Sequence, residues 1–168
     1  MEEKYNAIIK ECMREEENCL YTSTSFYYWL SYLNKVKAFF IATPLIFGGI
    51  ASIEILSDSQ DDFAKYLVAL VAFVAGVLPS IYSALKIEAR IEKLETVTNK
   101  FKVLQGKFRR LRTIDIHNST LDEEFRTSIL ELEDLKSNGL TIPERFFARA
   151  QKKIKKGDFD FSADDKKV

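Results

Sequence analysis

The residues whose types could carry chemistry are few. Cys12 and Cys19 are the two cysteines and His117 the one histidine. Thiols and imidazole are nucleophiles and metal ligands when they gather. Here the cysteines lie seven apart on one helical face, no further Cys exists and His117 stands alone, so the pair reads as free buried thiols in a reducing compartment. There is no glycine-rich phosphate loop and no Ser or Cys in a nucleophile setting, and the carboxylates fall mostly on solvated helix faces. No catalytic residue, cofactor site or metal site is therefore expected, and the chain does not read as an enzyme. Lys107, Arg109, Arg110 and Arg112 form a basic cluster. With 25 basic and 25 acidic side chains the net charge is zero, so the cluster reads as solvated charge and a nucleic-acid partner is not expected.

A second set of residues could act on ions without making or breaking bonds. Thr43, Phe47, Ile50 and Glu54 recur at spacings of four, three and four, one helical face. Phe47 and Ile50 on such a face could form a hydrophobic constriction that conducts only when it widens and wets. Asp58, Asp61 and Asp62 with Glu54 could form an acidic outer mouth that concentrates cations. Equally, Glu54 could simply reach water from the end of its helix.

Any such use depends on the elements that hold these residues. The slightly negative mean hydropathy would suit a small soluble domain, but the apolar content is concentrated in two blocks. Residues 38–56 hold one charge, Glu54, and residues 66–85 none. About 20 residues at 1.5 Å each cross a hydrocarbon core of roughly 30 Å. A buried helix of a soluble bundle keeps a polar stripe, and these blocks are apolar or small on nearly every face. The first block follows an acidic stretch with Glu15, Glu16 and Glu17, which argues against a cleaved signal peptide. Lys35 and Lys37 precede the first block, Lys86, Arg90 and Lys93 follow the second, and Lys65 alone is basic in the link. The excess of flanking basic residues predicts both termini in the cytoplasm and the link outside.

The expected fold class is all-α: an integral membrane hairpin of two transmembrane helices with a cytoplasmic helical bundle built from both termini. Residues 1–37 form an amphipathic helix ending in an aromatic cluster of Tyr21, Phe26, Tyr27, Tyr28, Trp29 and Tyr32. Those rings suit the headgroup region, with packing on later helices as the alternative. Residues 38–56 are the first span, 57–65 the external link and 66–85 the second span. Ala72, Gly76, Ser80 and Ala84 give the second span a smooth face for close helix approach, within the hairpin or between subunits.

No Gly or Pro follows the second span until Gly106, so residues 86–113 are expected to continue it as one long helix. Leu94, Val97, Phe101, Leu104, Phe108 and Leu111 make a heptad-like seam there, either for self-association or for the N-terminal helix. Residues 114–156 hold two short helices. Capping pairs Thr120 with Glu123 and Thr141 with Glu144 open them, and Asn138-Gly139 stops the first. Residues 157–168 are expected to be a frayed or disordered tail.

This layout, with the run Phe26-Tyr27-Tyr28-Trp29-Leu30, two spans on a short link and a long helix after the second, resembles the SLATT family. These are two-transmembrane effector domains associated with SMODS nucleotidyltransferases and SLOG sensors in bacterial conflict systems. The resemblance covers roughly residues 11–156 and rests on architecture more than on an invariant motif. It implies a homo-oligomeric, pore-forming effector of antiviral defence that permeabilises the bacterial inner membrane when triggered. The implied partners are the lipid bilayer and further copies of the chain. With no sensor domain in this sequence, the trigger is expected from a separate sensor protein, a nucleotide second-messenger system or assembly itself. The competing expectation is a non-conducting two-span anchor or scaffold that recruits a cytoplasmic partner.

Overall fold

The computed structural model describes residues 2–56, 62–113, 121–137 and 139–159. Among the described residues the chain is all-helical: α1 (Glu2–Leu56), α2 (Asp62–Ala84), α3 (Ile87–Thr113), α4 (Leu121–Ser137) and α5 (Glu144–Ile154). The amphipathic N-terminal segment and the first apolar block are thus one helix of 55 residues. Pro44 lies within α1 and Pro79 within α2 without ending either.

The chain divides into two compact units, Met1–Leu30 with Lys93–Val168, and Ser31–Glu92. The first unit is organised as a water-soluble core. Along α1, Cys12, Cys19 and Phe26 are buried at an interval of seven; along α3 all six seam residues, Leu94, Val97, Phe101, Leu104, Phe108 and Leu111, are buried. The two rows share one cluster with Leu121, Leu132 and Leu135 of α4. The seam therefore belongs to the protein's own N-terminal helix. The pairing is antiparallel, since Phe26 meets Phe101 at 5.8 Å between ring centroids while Glu16 meets Arg112 at 3.1 Å. Each fully buried Leu or Phe contributes about 1.5–3 kcal/mol by leaving water.

Two of the buried hydroxyls in this core are satisfied within their own helices, whereas the buried Tyr5 hydroxyl, packed against the same cluster, has no hydrogen-bond partner among the described residues. Ser25 donates its hydroxyl to the Tyr21 carbonyl at 2.6 Å and Thr98 to that of Leu94 at 2.7 Å. Peripheral ion pairs Lys4–Asp122 and Lys136–Glu15 join α1 to α4. Lys4 holds the Asp122 carboxyl below its ordinary range by hydrogen bonding.

Two expectations need correction, and a third divides between its alternatives. In the aromatic cluster two rings take the packing alternative: Phe26 is buried, stacked with Trp29, which in turn stacks on Phe146 of α5 at 6.3 Å and 15°. Packing takes these two rings because they lie on the stripe facing α3 and α5, whereas Tyr27 and Tyr32 stay exposed. Residues 86–113 do not continue α2. The helix breaks at Leu85-Lys86, where Lys86 takes φ 49° and its N–H reaches back to the Ser83 carbonyl at 3.1 Å. Finally, Thr141 and Glu144 form no capping box. Pro143 is the N-cap of α5 in an extended conformation without a side-chain cap, which leaves Thr141 two positions too early.

α4 ends at Ser137, just before the expected Asn138-Gly139 stop, and a Cβ on Gly139 would lie 3.0 Å from the Leu135 carbonyl oxygen. Thr120 and Asn138, His117, and the tail from residue 160 lie outside the described residues.

Candidate functional site

The unit Ser31–Glu92 reverses the burial pattern of the first. Its large apolar side chains point outward: Leu45 is 73% exposed, Phe73 68% and Leu70 60%. Within the apolar window of α2 no residue is buried, and almost none is within that of α1. Both helices are long and apolar enough to cross a membrane. In water this exposure would be costly, at about 25 cal/mol per Å²; in lipid it costs nothing, because the tails are as apolar as leucine.

Each helix keeps one half-buried face. On α2 it comprises Val68, Val71, Ala75, Leu78 and Tyr82, at spacings of three and four. On α1 it comprises Val36, Phe40, Thr43 and Phe47, leading to the buried Ala51. Phe40 and Tyr82 meet across it, ring centroids 5.8 Å apart. Below that contact the Lys37 ammonium pairs with the Glu88 carboxylate. The hydrogen bond from Lys37 holds Glu88 below its ordinary range. Lys86, the residue with positive φ, stands two positions before that carboxylate.

The chain matches no known family model, curated protein or solved structure. What the site can do is therefore read from its own geometry.

The candidate face Thr43, Phe47, Ile50 and Glu54 is divided. Thr43 and Phe47 are half-buried, whereas Ile50 is 55% exposed. The side chains of Glu54 and Asp62, and residues Asp58 and Asp61, lie outside the described residues, so the acidic mouth has no described geometry. The small face of α2 is intact and open: Ala72, Gly76, Ser80 and Ala84 are all exposed, and a Cβ at Gly76 would meet nothing within 4 Å. It is not the face that α2 turns to α1.

Among the described residues no three of His, Cys, Asp or Glu gather as metal ligands. Cys12 and Cys19 are free and buried. Seven helical residues separate them by about 10 Å along the axis, beyond the ~7 Å between Cα atoms that a disulfide tolerates. Burial pushes their thiols up to about 11 and about 12. At neutral pH they are neutral and unreactive.

The pairing face of α2 and the Lys37–Glu88 ion pair were not singled out in the sequence. A 3-4 spacing at 68, 71, 75, 78 and 82 was there to be found, but in a run that is apolar throughout it has no polar background to stand against.

Proposed function

We propose that the chain is a two-span membrane protein that assembles with further copies into a regulated pore, of the kind that bacterial conflict systems use to permeabilise the inner membrane. The observation that carries this reading is the outward-facing apolar surface of α1 and α2 beside a conventionally buried core in the other unit. The excess of basic residues flanking the two blocks supports a hairpin with both termini in the cytoplasm. Two spans cannot enclose a water path, so conduction needs several copies. The open face Ala72, Gly76, Ser80 and Ala84 supplies a surface on which a neighbouring helix gains close van der Waals contact. The architectural resemblance to SLATT effectors supports the biological setting. Thr43 and Phe47 would reach a pore lumen only if assembly parts the half-buried faces, which makes them gate candidates rather than a standing wall.

One observation favours a scaffold instead. Val103, 60% exposed, flanks a recess of about 570 Å³ with Thr96, Asn99, Lys100, Glu131 and Asp134, a surface that a recruited protein could occupy.

The two readings separate on purified protein. The pore reading expects a defined oligomer in detergent and ion leakage from liposomes. Gly76→Leu should abolish both while leaving the monomer folded, because overpacking costs about 1–3 kcal/mol at a helix contact and nothing in open space. A monodisperse monomer that leaves liposomes sealed would establish the anchor.

A further inference from the structure

A stripe of cationic side chains runs along α5 and into the turn that follows it. Arg145, Arg149 and Lys152 recur at spacings of four and three, so they lie within a narrow sector of one face of α5, and Lys156 follows in the turn after it. Phe146 and Ala150 are buried on a different face of the same helix. The apolar side fixes α5, through Phe146 on Trp29; the four cationic residues are exposed, with the Arg145 guanidinium lying over the Phe146 ring at 4.6 Å.

The stripe has a built edge. Arg149, Lys152, Lys153 and Lys156 line an open recess of about 270 Å³ with Tyr28 of α1 and Asp158. The Arg149 guanidinium sits over the Tyr28 ring at 5.3 Å, which holds one wall in place by a cation–π contact. Asp158 is engaged by Lys153 at 3.8 Å. Among the described residues Arg149, Lys152 and Lys156 have no carboxylate partner, so the recess carries unneutralised positive charge.

We propose that this stripe is a docking surface for an anionic lipid bilayer, its guanidinium and ammonium groups binding headgroup phosphates. The inference rests on the membrane reading given above. Three features select a lipid surface over a free phosphate. From Arg145 to Lys152 the charges form a row about 10 Å long on α5, with Lys156 beyond it, which fits several separate phosphates better than one. The recess is open rather than enclosed. Its wall, Tyr28, belongs to the helix whose apolar block begins ten residues later, at Ala38. Basic residues on an amphipathic helix near a span are attracted to anionic headgroups, each contributing roughly fivefold in affinity.

The test uses the full chain in neutral detergent, with retained lipids counted by native mass spectrometry. Phosphatidylglycerol should bind in preference to phosphatidylcholine. The variant R145Q/R149Q/K152Q/K156Q should lose that preference by about a hundredfold or more. A control with the same charge removed elsewhere, K10Q/R14Q/K93Q/K100Q, should keep it. Emission from Trp29, the single tryptophan, confirms that α5 remains seated in each variant.

Equal phosphatidylglycerol binding by stripe variant and control overturns the proposal. Displacement of the lipid by inorganic phosphate at low millimolar concentration overturns it in favour of a free-anion site. Binding only in the variant D160N/D164N/D165N overturns it too, because the chain's own acidic segment would then be the occupant. Release of the wild type from membranes by alkaline carbonate is a separate outcome, which removes the two-span reading whatever the lipid result.

Discussion

Cys12 and Cys19 set a pH limit on the first unit that their sequence positions alone would not suggest. Both are fully buried between α1 and its neighbours, and desolvation raises each thiol from an ordinary value of 9 to about 11 and about 12. Below pH 9 the thiols are neutral whether the chain is folded or not, and burying them carries no ionisation penalty. As the pH climbs above 9 the unfolded thiols ionise while the folded ones stay neutral, Cys12 up to about 11 and Cys19 up to about 12. Stability is then lost at about 1.4 kcal/mol per thiol per pH unit. Thermal unfolding followed by Trp29 emission should show a steeper alkaline decline in the wild type than in Cys12→Ala/Cys19→Ala. Identical slopes would mean that the thiols are solvated. That these residues are free and buried was legible from their interval of seven and the absence of other ligands. That they face the α3 seam was not, because periodicity along one helix does not say which other helix meets it.

At the scale of elements, legibility followed contrast. The seam from Leu94 to Leu111 stood out because charged residues separate its members, and all six are buried as their spacing implied. The face of α2 that meets α1 is invisible in the sequence, since Val68 and Val71 differ little in character from the outward Leu67 and Leu70. The break at Lys86 was illegible for another reason: neither Gly nor Pro marks it, and a lysine in the left-handed region is maintained by its surroundings. This yields a sharp test. In a continuous helix Lys86→Gly would cost about 1 kcal/mol; at φ 49° it should instead stabilise by up to about 1 kcal/mol. Lys86→Ile, β-branched at positive φ, should destabilise. Melting temperatures of the two variants in one detergent decide it, and a lower value for the glycine variant would restore the unbroken helix.

The whole molecule offers a topological check for which the buried thiols are an advantage. Because neither native cysteine is accessible, a cysteine introduced for Ser59 is the single reactive site in the folded chain. In intact cells it should react with a membrane-impermeant maleimide from outside, while reporters fused at either terminus are active only inside. Labelling that requires permeabilised cells, or reporters that report opposite sides, would show that one of the two apolar helices does not span.

The antiparallel pairing of α1 with α3 has a consequence for how the chain is made. Glu16 and Arg112 lie 96 positions apart, and both apolar blocks, 38–56 and 66–85, fall between them. At about 5–20 residues per second, the ribosome exposes the Cys12-Cys19-Phe26 stripe roughly 5–20 s before its partner has been synthesised. For that interval the stripe is apolar surface without its partner, the condition that makes a nascent chain prone to aggregation. A chain truncated before α3 would never acquire that partner, and it should aggregate or be degraded under conditions that the full chain survives.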